Sequence, residues 1–182
     1  MIMENNLEYW VYIGRMCPVH LGHERIINKM RDKYKERFLL ILWSNSASFT
    51  LRNFFNYEER RSFIKMLFPD QKIAWIPDFK TDSEWLVALD DIICSVFGID
   101  ENVIKQKVVF AWWCREDVEF FFEDWRNVEI INRFDSDSIK ISATEVRDAL
   151  IYSRDLNWLV NPKLHEYLTT LFRQKWELFK KI

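Results

Sequence analysis

The sequence predicts an α/β fold: a Rossmann-like, doubly wound parallel sheet in a single domain with C-terminal helices. Three observations predict it. Short continuous apolar runs alternate along the chain with stretches whose apolar residues fall at helical spacing. The first strand, helix and strand fit within about 35 residues, the span of a βαβ unit, so those strands run parallel. The alternation then continues without an internal repeat, low-complexity segment or linker, which makes residues 1–182 one domain.

The elements follow in order. Residues 9–13 (YWVYI) are β-branched and aromatic, end at Gly14, and read as a buried strand. From 21 to 37 the apolar residues Leu21, Ile26, Ile27, Met30 and Tyr34 trace one helical face. Residues 38–43 (FLLILW) form the second strand. A helix over 57–68 stops before Pro69, and a strand over 72–76 stops at Pro77. The helix over 83–97 ends on Gly98 as a C-terminal cap. Strands over 108–112 and 128–131 flank a helix over 115–124, and helices over 142–151 and 162–179 finish the chain.

The totals narrow the class. Hydrophobic residues make up 49% and aromatics 16%, enough to build a core and too many for a disordered chain. The net charge of -2 gives no basic field for nucleic acid. Cys17, Cys94 and Cys114 are widely spaced and form no Cys-x-x-Cys pair, so neither a zinc knuckle nor a redox motif is supported. No apolar run reaches the roughly 20 residues of a membrane span, and no signal pattern opens the chain. The expected location is the cytoplasm, with small-molecule partners and neither nucleic acid nor membrane.

Ligands of such sheets bind at the carboxyl ends of the strands. Five segments lie there: 14–23, 44–56, 77–85, 112–116 and 141–147. The first, GRMCPVHLGH, puts two of the three histidines into one strand-to-helix turn. A helix N-terminus offers free N–H groups to anions. His20, His23 and Arg15 beside it would stabilise charge on a phosphate, which is most of what a protein must do in such transfers. A zinc pair would more often be four apart on a helix with further ligands near, and none are present. In the fifth segment, ISATEVR, Ser142 and Glu145 form a capping box. Ser142, Thr144 and Arg147 also bring two hydroxyls and a guanidinium to a helix start, suited to phosphate. Lys140 adds a nearby charge.

These two segments carry a resemblance. GRMCPVHLGH resembles the GRFxPxHxGH signature of the HxGH nucleotidyltransferase superfamily, and ISATEVR resembles its ISxTxxR motif, in the right order about 120 residues apart. The resemblance implies that His20, His23, Arg15 and Arg147 are catalytic. It implies that Gly14, Met16, Ser142 and Thr144 join them around the triphosphate, with ISATEVR gripping the β- and γ-phosphates. Residues 44–64 resemble nicotinamide-mononucleotide adenylyltransferases of the archaeal type, with Ser44, Ser48, Thr50, Asn53, Phe55, Glu59 and Arg60 in register. Arg52, Glu58 and Arg61 read as ordinary solvated charges. Residues 76–89 are similar to the same group and imply Asp78 and Trp85 as substrate-binding, with Trp85 stacking on the nicotinamide ring, and the 44–64 resemblance adds Asn53 to the substrate-binding set. Residues 108–129, through Arg115, Asp117, Phe120, Phe121, Trp125, Val128 and Glu129, resemble the matching part of bacterial adenylyltransferase/Nudix proteins.

The implied reaction transfers AMP from ATP to nicotinamide mononucleotide, with Mg²⁺ carried by ATP and no protein metal site, and relatives commonly form homo-oligomers. The sequence departs from the pattern at Trp43, Asn45 and Phe54, where Gly, Ala and Pro are usual, and at Trp112 and Trp113, where bulk beside adenine would reshape the base pocket. Three readings therefore stay open: this reaction, transfer to phosphopantetheine or another phosphorylated acceptor from ATP or CTP, and a nucleotide-binding regulator without turnover.

Overall fold

The computed structural model of the chain describes residues 8–44, 50–112, 118–131 and 140–181. Strands β1 (Tyr9–Gly14), β2 (Phe38–Leu42), β3 (Lys72–Trp75), β4 (Val108–Trp112) and β5 (Asn127–Ile130) form one sheet in the order β3-β2-β1-β4-β5. Every pairing is parallel, and Tyr12 lies opposite Leu40 on one side and Ala111 on the other. The doubly wound α/β sheet expected from the sequence is the one observed. The chain runs outward from β1 to β3, then returns past β1 to β4. That reversal opens a crevice at the carboxyl ends of β1 and β4, the place where such sheets take ligands.

Alternation along each strand divides the core in two. Trp10 and Tyr12 of β1 face one side, with Leu40, Leu42, Val109 and Ala111. That side is covered by α1 (Leu21–Tyr34), α2 (Tyr57–Leu67), α6 (Ala143–Ile151) and α7 (His165–Phe179), through residues such as Ile27, Phe63, Val146 and Leu168. Val11 and Ile13 face the other side with Leu39, Ile41 and Phe110. There α3 (Asp82–Phe97), α4 (Glu101–Lys107) and α5 (Glu119–Glu123) supply Trp85, Leu89, Ile93, Ile104 and Phe121. A sheet buried on both faces explains why its strands read as unbroken apolar runs.

Most element ends shift by a residue from the sequence reading, and the larger differences have local causes. Helix α1 ends at Tyr34, because Lys35 takes a positive φ of 49° and a 3₁₀ turn, Lys35–Arg37, leads into β2. The short helix α4 has no counterpart in the reading. Its N-cap, Asp100, was there to see, but Ile104 is its one buried residue, so no apolar stripe marked it. The last helix is preceded by a separate 3₁₀ turn, Pro162–Leu164, capped by Asn161. Gly98 caps α3 in the left-handed region as expected, at φ 65°.

Candidate functional site

Four helices begin with a reciprocal capping box, and one of them is unlike the rest. Helices α2, α3 and α6 use Asn56, Thr81 and Ser142 as caps, each answered by a glutamate three residues on: Glu59, Glu84 and Glu145. Helix α1 uses His20 and His23. The His23 N–H donates to His20 Nδ1 at 3.4 Å, and the His20 N–H donates to His23 Nδ1 at 3.3 Å. The two rings lie 3.7 Å apart. An Nδ1 that accepts a backbone hydrogen bears no proton of its own, so these bonds assign each neutral ring its hydrogen on Nε2. The turn thus replaces the usual capping carboxylate with two N–H donors, at a helix end that already favours anions.

The same turn bends through Met16, whose φ is 49°. Arg15 lies over the ring of Trp43, its guanidinium carbon 4.3 Å from the ring centre. At the far side, Arg147 of α6 reaches back across the crevice. Its Nη1 donates to the Cys17 carbonyl at 2.7 Å and its Nη2 to Thr144 Oγ1 at 2.9 Å. Burial pulls the Arg147 pKa below its ordinary value, and the charge of Arg52 adds to that effect. Burial likewise pushes the Cys17 thiol up, so Cys17 is a neutral thiol bonded to the Phe55 backbone rather than a nucleophile.

Together these residues line one cleft of about 240 Å³. Gly14, Arg15, Met16, His20 and His23 form one wall, and Ser142, Thr144 and Arg147 form another. Trp43, Trp112 and Arg52 complete it. Two segments 120 residues apart in sequence are therefore brought to a single opening with at least three guanidinium groups. The hydroxyls differ in what they can offer. Ser142 Oγ gives its hydrogen to Glu145 Oε2 at 2.8 Å, while Thr144 Oγ1 accepts from Arg147 and keeps its own hydrogen to donate.

The expected substrate-binding residues do not join this cleft. Asn53 is buried and its Nδ2 donates to Ser44 Oγ at 2.9 Å, which fastens the left-handed turn at Ser44 (φ 58°) after β2. Asp78 is exposed beyond β3, and its charge bears on Arg60. Trp85 offers no open stacking face. It is 8% exposed and packs on Trp112, Phe120 and Phe121, with ring centres 5.8–6.3 Å away. The physical reason is the crowding of aromatics on that face of the sheet, which periodicity in α3 alone does not reveal. Ser48, Trp113, Arg115 and Asp117 lie outside the described residues.

The sequence reading missed Arg52, which it took for a solvated charge and which lines the cleft beside Arg147. The signal available was position: Arg52 sits in the segment following β2, at the carboxyl edge. The lining residues include no carboxylate. Among the described residues no cluster of three or more His, Cys, Asp or Glu could hold a metal ion. Donors of this kind do not suit a hard divalent cation.

A Rossmann-like sheet with a cationic, histidine-capped crevice at its switch point is the kind of α/β protein built to take a phosphorylated ligand. Residues 11–175 match the Cytidylyltransferase-like family, and the chain belongs to it. A nicotinamide-nucleotide adenylyltransferase of Pyrococcus furiosus is 27% identical, over 87% of this chain and 81% of that protein. A probable nicotinate-nucleotide adenylyltransferase of Fusobacterium nucleatum subsp. nucleatum is 21% identical, over 87% and 95%. A bifunctional NMN adenylyltransferase/ADP ribose pyrophosphatase from Francisella tularensis shares the fold, with a TM-score of 0.72 at 18% identity over 92% of this chain. Its complex with AMP and a manganese ion gives 0.70 at 16% over 95%. The chain spans about half the length of those two structures, 50% and 52%. Among the described residues no helix is long and apolar enough to cross a membrane.

Proposed function

We propose that this chain transfers AMP from ATP to nicotinamide mononucleotide, giving NAD and pyrophosphate. The observation that carries the reading is the single cleft in which the histidine-capped turn and Arg147 meet. A phosphate oxygen of the acceptor attacks the α-phosphorus of ATP in line. The new P–O bond forms as the bond to the β-phosphate oxygen breaks, and pyrophosphate leaves with the electron pair. The acceptor is already ionised, so no strong general base is needed. The Nε2–H groups of His20 and His23 meet charge growing on the transferred phosphate, and Arg15, Arg52, Arg147 and the Thr144 hydroxyl hold the departing pyrophosphate.

A divalent ion enters as a complex with the triphosphate, where it supplies charge neutralisation. The cleft residues do not themselves form a set to hold it, and the relative crystallised with AMP and manganese supports its use. The Fusobacterium relative favours a second acceptor, nicotinate mononucleotide, for the same chemistry.

Pyrophosphate release from ATP, measured with each acceptor in turn, tests the reading. Release with nicotinamide mononucleotide, at a kcat/KM above that with nicotinate mononucleotide, is expected. Preference for the nicotinate form changes the acceptor, and ATP binding without release from any acceptor leaves a regulator. His20→Ala should lower turnover by ~10²-fold, on the scale of losing one charge-stabilising donor; unchanged turnover refutes the role of the imidazole.

A further inference from the structure

Arg60 of α2 has no place in the mechanism so far, yet it is 1% exposed and among the largest fully buried side chains. A buried guanidinium ordinarily faces a carboxylate. This one forms no ion pair among the described residues; the acid acting on it is Asp78, through its charge alone. Its donors go to backbone carbonyls. Nη1 donates to the Arg15 carbonyl at 2.8 Å and to the Trp43 carbonyl at 2.8 Å. Nη2 donates to the Ser44 carbonyl at 3.5 Å, and Nε to the Asn56 carbonyl at 3.3 Å.

The two short bonds go to residues whose side chains stack on each other in the cleft wall. One side chain thus ties the turn after β1 to the turn after β2. A guanidinium suits this, because the two hydrogens of Nη1 reach the carbonyls of the two turns while Nη2 and Nε hold the plane against the Ser44 and Asn56 carbonyls. Neutral carbonyls also leave the charge of Arg60 unneutralised. Burying a cation this way is costly, and a purely structural clamp could be built more cheaply from neutral donors.

We infer that Arg60 is a positioning residue, which acts through Arg15 by fixing the backbone from which Arg15 reaches the triphosphate. The inference rests on the reading of the cleft as a polyphosphate site. Inorganic tripolyphosphate separates the two. Its affinity for the wild type, Arg60→Lys, Arg15→Ala and the double variant is measured by calorimetry, alongside the urea stability of each. Arg60→Lys keeps the charge but loses the Nε and Nη2 donors that hold the group against the Asn56 and Ser44 carbonyls, so a single rotatable ammonium no longer fixes the two turns in one geometry.

The single change should weaken tripolyphosphate binding ~10-fold, in keeping with the loss of a charge-assisted hydrogen bond. With Arg15 already removed, the same change should cost under ~2-fold, because its route to the anion is gone. Equal penalties in both backgrounds make Arg60 a general structural residue and overturn the inference alone. A wild type that ignores tripolyphosphate removes the cleft reading and the inference with it. If Arg60→Lys does not fold, a structure of the wild type with tripolyphosphate decides. Arg15 on the anion with Arg60 still on the two carbonyls is expected, and Arg60 itself on the anion overturns the assignment.

Discussion

Two arginines are buried among the described residues, and they are treated in opposite ways. Arg126, just before β5, meets Asp90 of α3 through two parallel bonds of 2.6 and 2.7 Å. Its Nε donates to Asp124 at 2.8 Å, and Lys105 of α4 also binds Asp124. Burial pulls the Arg126 pKa down, but the bonds and charges of Asp90 and Asp124 outweigh this and hold it above its ordinary value. Arg60 is as deeply buried and has only carbonyls, so its pKa lies below the ordinary value through burial, with nothing to offset it fully. Two acids hold the first cation where the sheet edge is tied to its helices. The second is left charged behind the cleft. In a chain of net charge -2, Arg15, Arg52 and Arg147 in the cleft and Arg60 behind it concentrate positive charge at one place.

The most forceful way to break this contrast is to remove the acid that neutralises Arg126. Asp90→Ala leaves that guanidinium buried with Asp124 as its one remaining carboxylate. Breaking a buried pair from one side should cost about 3 kcal/mol of stability, read as a lower urea midpoint at an unchanged slope. Pyrophosphate release per folded molecule should stay within twofold of wild type, since neither residue lines the cleft. A large loss of turnover at unaltered stability would place this pair in the chemistry and abolish the distinction.

How far the sequence shows this division depends on what each residue announces. The two walls of the cleft are legible because the chemistry is local: Gly14 to His23 follows a strand in a run of ten residues, and Ser142 to Arg147 opens a helix. The sheet is legible because strands buried on both faces leave unbroken apolar runs. Helix α4 is not, because a seven-residue helix with one buried side chain has no period to detect. Trp85 is singled out by a resemblance at the start of α3, and only the rings around it, contributed by β4 and α5, show that it is covered. Arg52 and Arg60 are harder. One arginine in a polar stretch looks like another, and the carbonyls that receive Arg60 belong to residues 16, 17 and 45 positions away.

Arg52 sharpens the comparison from the cleft side. It bears no structural load that would make its loss destabilising, as it is exposed and its charge acts on Arg147 across the opening. Arg52→Ala should raise the KM for ATP ~10-fold, the scale of one charge-assisted phosphate contact, with the urea midpoint unmoved. The loss should shrink as salt is raised, because screening weakens exposed charges most. An unchanged KM at low salt would return Arg52 to the solvated surface.

The smallest effect comes from the acid that Arg126 shares with Lys105. Burial alone would raise the Asp124 pKa, but hydrogen bonds from Lys105 and Arg126 prevail and hold it below the ordinary aspartate value. A carboxylate depressed in the folded state contributes stability that is complete above its unfolded pKa and is lost as pH falls through its folded one. Asp124→Asn should therefore be less stable than wild type at pH 6, and the gap between their urea midpoints should close as the pH falls below the usual carboxylate range. The side chain is 30% exposed, so solvent screening keeps the gap small, within about 1 kcal/mol. A gap that stays constant with pH would show that Asp124 contributes by packing. The neutralisation of Arg126 would then rest on Asp90 alone, and the acid clamp and the carbonyl cage would differ by a single carboxylate.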